Sequence, residues 1–195
     1  MKIWGIILAA GRSSRMGRIK QLLDFEGKTI LEQVMENALN SSLHRLIVVL
    51  GHGAEQIQKV VDFNRVKVVV NERYDQGLST SIRAGLNEIP DETEGVVFIL
   101  GDQPLVGADV INAIIKAYQQ EKAPLVIPTC RGRRGNPVLA DRSLFHRLKN
   151  LTGNVGARVL FEEYADQIKE VEIENEAVHF DVDTLDDYAA LIKKK

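Results

Sequence analysis

The sequence predicts an α/β fold on a mainly parallel sheet with right-handed crossovers. Three observations carry that reading. Apolar runs of strand length alternate with amphipathic helical stripes along the first two thirds of the chain. The runs show little polar alternation, as expected of strands covered on both faces. Polar, glycine-rich stretches follow them, and open parallel sheets bind ligands at that edge.

Ile3-Trp4-Gly5-Ile6-Ile7-Leu8-Ala9 is the first buried strand. It empties into Ala10-Gly11-Arg12-Ser13-Ser14-Arg15-Met16-Gly17, and Lys20 follows. Glycines and serines let backbone N–H groups approach an anion, and Arg15 and Lys20 add positive charge, so a polyphosphate suits this loop. A solvated Gly/Ser turn has the same composition.

Thr29 to Asn40 has apolar positions 30, 31, 34, 35, 38 and 39, a helical stripe that should pack on the sheet. Arg45–Leu50 reads as a second strand, ending at Gly51-His52-Gly53, and Ala54 to Val61 as a short helix. Val66 to Val70 is a third strand, followed by a loop that opens a helix from Leu78 to Asn87. Gly95–Leu100 is a fourth strand, ending at Gly101-Asp102-Gln103-Pro104. A helix from Asp109 to Tyr118 and a strand from Pro124 to Pro128 come next.

The last third opens with a basic loop, Arg131 to Pro137, before a short strand at 138–140. Helices are predicted at 143–150 and near 155–164, and strands at 168–173 and 178–182. Thr184-Leu185-Asp186-Asp187 starts a final helix through Ile192 in the manner of a capping box, with Asp187 in the Glu/Gln place.

No linker or repeat interrupts the 195 residues, so one domain over 1–195 is expected. Hydrophobic residues make up 45% and charged residues 27%, an ordinary soluble composition. A net charge of -2 gives no case for nucleic acid or a membrane surface. The single cysteine, Cys130, rules out an internal disulfide and fits a reducing cytoplasm. The start is basic then apolar like a signal peptide, but it runs at once into a charged loop and reads as a strand.

Two phosphate motifs are absent. Gly11 and Gly17 are separated by five residues, not four, with Arg18-Ile19 after them, which is not a Walker A loop, and no G-x-G-x-x-G follows the first strand. Asp102, just past a buried strand, is either a Mg²⁺ ligand or a turn aspartate before proline. Asp181 and Asp183 share one face of an extended segment, as a carboxylate pair or as a solvated strand end. If that segment folds back onto the first loop, Asp102 and Asp183 flank one Mg²⁺. No serine or cysteine has an evident base. One reaction class needs no protein nucleophile: a substrate phosphate attacking the α-phosphate of a nucleoside triphosphate.

These residues resemble a known family. Leu8-Ala9-Ala10-Gly11-x-Ser13-Ser14-Arg15-Met16-Gly17 followed by Lys20 resembles the nucleotidyltransferase signature L-A-x-G-x-S-x-R-M-G-x-x-K. The chain is similar to the MobA-like NTP transferase family, in its molybdenum cofactor cytidylyltransferase branch. Asn71 to Gly85 resembles the branch's N-x(5)-G-L-S-x-S-x-R-x-G, and Gly101-Asp102-Gln103-Pro104 its G-D-Q-P. Arg134 to Val138 resembles R-G-H-P-V with Asn136 for histidine, and Leu151 to Arg158 resembles L-x-G-D-x-G-A-R with Asn154 for aspartate. Asp181 to Tyr188 resembles D-I-D-T-P-E-D-L, with Leu185 for proline.

The resemblance implies a doubly wound, Rossmann-like sheet of the nucleotide-diphospho-sugar transferase kind. It implies CMP transfer from CTP to Mo-molybdopterin with Mg²⁺ and release of pyrophosphate. The backbone of Leu8, Ala9, Ala10 and Gly11 would hold the base. Ala10 leans toward a pyrimidine, since guanylyl-transferring relatives tend to have L-A-G-G. Arg15 and Lys20 would hold the triphosphate. Ser79 and Ser81 would lie along the nucleotide or pterin path. Asp102 would be the principal Mg²⁺ ligand and Asp183 the second. Gly135, Asn136 and Pro137 would face the acceptor. A molybdenum hydroxylase or its maturation factor is the implied protein partner. The rivals are transfer to another phosphorylated acceptor, such as a sugar phosphate, and a non-catalytic molybdopterin carrier.

Overall fold

The computed structural model describes residues 1–13 and 16–193. In chain order the elements are β1 (Ile3–Ala9), β2 (Asp24–Phe25), β3 (Lys28–Thr29), α1 (Ile30–Leu39), β4 (Arg45–Leu50), α2 (Ala54–Val60), β5 (Lys67–Val70) and α3 (Leu78–Leu86). Then come β6 (Gly95–Leu100), α4 (Ala108–Gln120), β7 (Leu125–Cys130), β8 (Arg133–Arg134), β9 (Val138–Asp141), α5 (Phe145–Lys149), β10 (Ile168–Glu172) and α6 (Leu185–Lys193).

The main sheet runs β10-β7-β9-β6-β1-β4-β5, with β8 paired to β7. β1 is parallel to both neighbours, with Ile7 opposite Val48 on one side and Ile99 on the other. β9 is the exception on this path, antiparallel to β6 and β7. The chain steps outward from β1 through β4 to β5, then returns to lay β6 on the far side of β1. The order therefore reverses between β1 and β6, and a crevice opens at their carboxyl ends.

Both faces of the sheet are covered. Ile7, Val48 and Val97 pack against α1, α2 and α4, while Ile6, Val49 and Phe98 pack against α3 and α5. Double coverage is why these strands read as apolar runs. α1 begins with a full capping box: Glu32 N–H donates to Thr29 Oγ1 at 3.2 Å, and Thr29 N–H donates to Glu32 Oε2 at 2.7 Å. The expected box at α6 is also present, with Thr184 N–H donating to Asp187 Oδ2 at 2.8 Å.

Two predicted elements differ. The segment near 155–164 is a 3₁₀ turn at Ala157–Leu160, not a helix. Only Ala157 and Leu160 bury there, three apart, which is the spacing at which 3₁₀ side chains eclipse. The segment at 178–182 is not a strand either. Asn175 Oδ1 accepts the Ala177 N–H at 2.9 Å and starts a 3₁₀ turn at Glu176–His179.

Beyond that turn the chain does fold back onto the first loop. Val182 joins Met16, Leu23, Phe25, Ile30 and Leu191 in a small core that docks α6 on the β2–β3 hairpin. Tyr188 Oη donates to Asp24 O at 2.7 Å across the same seam. Among the described residues no helix is long and apolar enough to cross a membrane.

Candidate active site at the sheet reversal

Two adjoining cavities occupy the crevice. The larger, about 680 Å³, lies over Leu8, Ala10, Gly11, Lys20, Ser81 and Asp102. The smaller, about 360 Å³, is lined by Phe98, Arg133, Asn136, Val138, Arg158 and His179. Leu8, Leu78, Leu100 and Asp181 border both. Gly101 lets the ends of β1 and β6 close up: its N–H donates to Leu8 O at 3.0 Å, and a Cβ there would lie 2.8 Å from Ala9 Cβ. Asp102 is thereby aimed from the rim of β6 into the larger cavity.

Asp102 also holds the C-terminal segment, since Val182 N–H donates to Asp102 O at 3.0 Å. Val182 turns into the small core, so Asp181 and Asp183 on either side of it turn to the cavity. Lys20 reaches the same corner. Its ammonium stands 2.5 Å from Asp102 Oδ2 and 2.8 Å from Asp183 Oδ1. Lys20 is only 8% exposed. Burial pulls its ammonium down, but the charge of Asp102 and the hydrogen bonds to Asp102 and Asp183 outweigh that and hold it above the usual lysine range. Burial and the charges of Asp102 and Asp183 push the Asp181 carboxyl above the usual range.

The residues fit a divalent cation. Asp102 Oδ1 is buried and takes no hydrogen bond among the described residues. Carboxylate oxygens are the donors hard cations take. Among the described residues no three His, Cys, Asp or Glu side chains group as a metal cage. Mg²⁺ suits such a partial site, because it uses one or two carboxylates and completes its shell with phosphates and water.

Leu8, Ala10, Gly11 and Ser81 all line the larger cavity. Ala9 lies behind that wall, buried, with its carbonyl accepting from Gln21 Nε2 at 3.4 Å. Among the described residues nothing stands within 4 Å of the place a Cβ would take on Gly11, which leaves that side of its backbone open to a ligand. Ser79 departs from expectation. It lines neither cavity, and its hydroxyl donates to Gly153 O at 2.7 Å. Residues two apart on a helix point in nearly opposite directions, so Ser79 and Ser81 cannot both face the cleft.

Asn136 lines the smaller cavity, while Gly135 and Pro137 line neither. Asn136 N–H donates to Val178 O at 2.9 Å, and a Cβ on Gly135 would meet that same oxygen at 2.6 Å. Arg15 lies outside the described residues. Tyr74, Arg12, Gln21 and His179 also line the crevice and escaped the sequence reading. Tyr74 carries the Arg12 guanidinium 5.6 Å from its ring centre. Arg133 belongs to the basic loop before β9, and that local charge was the signal that could have marked it.

The chain matches, over residues 5–168, the family described as the MobA-like NTP transferase domain. The molybdenum cofactor cytidylyltransferase of Escherichia coli (strain K12) is 32% identical over 187 residues, covering 94% of this chain and 92% of that protein. The nicotine blue oxidoreductase of Paenarthrobacter nicotinovorans is 26% identical, covering 97% and 96%. Rv0371c of Mycobacterium tuberculosis, solved in complex with manganese, has a TM-score of 0.88 at 29% identity and covers 100% of both chains. A family match across most of the chain, a relative similar along nearly its full length, and a crevice at the β1–β6 reversal agree: the chain belongs to the MobA-like NTP transferase family and is a nucleotidyltransferase.

Proposed function

We propose that the protein transfers CMP from CTP to the phosphate of Mo-molybdopterin and releases pyrophosphate, as one domain over 1–195 in the cytoplasm. The observation that carries this reading is the corner where Lys20, Asp102, Asp181 and Asp183 meet, beside the border between two cavities. One cavity suits a nucleotide and the other an anionic acceptor, with the acids near the junction where a phosphate would change hands. Similarity to the cytidylyltransferase of Escherichia coli supports the choice of substrates.

The acceptor phosphate attacks the α-phosphorus of CTP. A P–O bond forms there as the bond to the β-phosphate oxygen breaks, and pyrophosphate carries the electron pair away. The nucleophile is already an anion, so the chain supplies alignment and charge, not a base. Leu8 to Gly11 would hold the cytosine against the end of β1, with Ser81 beside it. Arg15 and Lys20 would neutralise charge on the departing pyrophosphate. Asp102 and Asp183 would hold Mg²⁺, which supplies Lewis-acid stabilisation of the phosphoryl oxygens when bound.

On the acceptor side, Arg133 and Arg158 line the smaller cavity with Asn136. Guanidinium groups suit a phosphate, and Phe98 and Val138 give an apolar wall for a flat ring. The partners on this reading are small-molecule nucleotide and pterin substrates, with a molybdenum hydroxylase or its maturation factor receiving the product. The likeness to an oxidoreductase brings no dinucleotide fingerprint with it, since none follows β1.

The test is pyrophosphate release from each nucleoside triphosphate in turn, with and without the molybdenum cofactor. Release from CTP alone, and only with the cofactor, is expected. Asp102→Asn should fold, by circular dichroism, and release none. Equal release from other triphosphates, or cofactor-independent release with a sugar phosphate, would overturn the choice of substrates. Normal turnover by Asp102→Asn would overturn the site.

A further inference from the structure

The Lys20 ammonium does not point at open solvent where a triphosphate would enter. It lies between Asp102 Oδ2 and Asp183 Oδ1, at 2.5 and 2.8 Å, in a corner where Asp181 adds a third carboxylate. These are oxygens a divalent cation in this corner would use. We propose that Lys20 is the resident counter-ion of the metal site: its ammonium must leave Asp102 and Asp183 before a divalent cation binds there, so nucleotide binds ahead of metal. The proposal rests on the reading of Asp102 and Asp183 as metal ligands.

The competition follows from distance. Mg²⁺ takes its oxygens at about 2.0–2.1 Å. An ammonium already bonded to the same pair would then sit within a few ångströms of a doubly charged ion. Like charges at that range repel strongly even with the screening of a protein interior. One of the two cations leaves.

Lys20 can move without unfolding its surroundings. Its backbone sits in a 3₁₀ turn, Lys20–Leu22, with Leu23 N–H donating to Lys20 O at 3.2 Å and Lys20 N–H to Ser13 Oγ at 3.4 Å. The four-carbon stem beyond that anchor has rotatable bonds enough to re-aim the ammonium. What it needs is a new anionic partner, because a buried ammonium without one is costly. A triphosphate bound in the same cavity offers such oxygens. Metal alone offers none, so metal alone must break the ion pairs to Asp102 and Asp183 without supplying a replacement. Metal and nucleotide therefore assist each other's binding through Lys20.

The test is binding of Mn²⁺ to the nucleotide-free full chain, followed by the loss of the free-ion paramagnetic resonance signal. Wild type is expected to bind weakly. Lys20→Met and Lys20→Gln should bind Mn²⁺ at least about tenfold more tightly, while Lys20→Arg, which keeps a cation, should stay near wild type. Should Lys20→Met fail to fold, Lys20→Gln keeps the test open, because its amide can donate to a carboxylate.

Adding Asp102→Asn to Lys20→Gln should abolish the gain. Unchanged affinity in Lys20→Met and Lys20→Gln would overturn the proposal, as would a gain that survives Asp102→Asn. Pyrophosphate release separates this from the substrate reading. A different triphosphate or acceptor would sink the cytidylyl assignment and leave the Mn²⁺ result standing. Activity as expected, with tight nucleotide-free Mn²⁺ binding that Lys20 variants do not alter, would sink only the counter-ion role.

Discussion

Gly77 and Gly153 meet backbone to backbone: a Cβ on Gly77 would stand 2.4 Å from the Gly153 carbonyl carbon. Gly77 also holds φ at +110°, which side chains rarely adopt. The contact closes the 151–156 loop over the start of α3. Ser79 secures it, with its N–H and hydroxyl both donating to Gly153 O at 3.3 and 2.7 Å. Leu78, next to Gly77, borders both cavities, and Asn154, next to Gly153, lines the larger.

Gly77→Ala should therefore disturb stability and both substrates together. Backbone strain of this kind costs about 1–3 kcal/mol, before the clash with Gly153 is added. A fall in Tm of roughly 2–4 °C per kcal/mol is expected for a chain of this size. The KM values for nucleotide and acceptor should rise in step, since one loop shapes both cavities. A variant with wild-type Tm and both KM values unchanged would show that the loop does not depend on this contact.

The central sheet was readable because its strands are apolar on both faces, and Arg45–Leu50 and Gly95–Leu100 are found at the bounds the pattern implies. The last third was harder. At 178–182 apolar residues alternate with polar ones, yet the local hydrogen bond from Ala177 N–H to Asn175 Oδ1 wins over pairing. Lys20 was legible as a cation near phosphates. That it lies against Asp102 and Asp183 depends on α6 docking across the first loop, a contact spanning 163 positions in the chain. Spacing in sequence carries no signal for such a contact. Ser79 was misread for the opposite reason: a motif places two serines close together, and helical geometry then parts them.

Arg158 lines the smaller cavity and not the larger one. Arg158→Ala should raise the acceptor KM about tenfold, the loss of one charge-assisted hydrogen bond, and leave the nucleotide KM near wild type. Steady-state kinetics with each substrate varied in turn checks this. A rise in the nucleotide KM alone would mean that the two cavities have been assigned the wrong way round.

A third prediction concerns the opposite end of the sheet. The Tyr118 hydroxyl donates to the Asp141 carboxylate and lies 3.0 Å from Glu94 O, under the Lys122 ammonium. Burial, then the hydrogen bond and charge of Asp141, push the phenol well above the usual tyrosine range. A group with its folded pKa raised gives stability that is complete below its unfolded value, near pH 10, and is lost as pH rises further. At pH 7 Tyr118→Phe should be about 1.5–3 kcal/mol less stable than wild type, the worth of a hydrogen bond to a charged group. That gap should narrow above about pH 10, where only the wild type loses this contribution. Urea titrations at both pH values measure it, and a gap independent of pH would refute the assignment.

Asn71 connects the sheet to the nucleotide cavity. It is buried at the end of β5, where its N–H donates to Leu50 O at 2.8 Å. Its amide nitrogen donates to Thr80 Oγ1 at 2.8 Å and Ser81 Oγ at 2.9 Å, and its oxygen accepts the Arg73 N–H at 3.0 Å. Thr80 Oγ1 is already placed to donate to Arg73 O and Gly77 O, so it cannot turn to a new acceptor without losing those. Asn71→Ala leaves the buried Ser81 hydroxyl without its donor and should cost about 2–3 kcal/mol. Asn71→Asp restores the acceptor for Arg73 but offers no donor, so it should recover part of the stability and not the orientation of Ser81. If Ser81 orients the nucleotide, both variants raise the nucleotide KM and leave the acceptor KM alone. If Asn71→Ala loses stability while the nucleotide KM stays at the wild-type value, Ser81 is a structural residue of the cavity wall, and recognition rests on the backbone from Leu8 to Gly11.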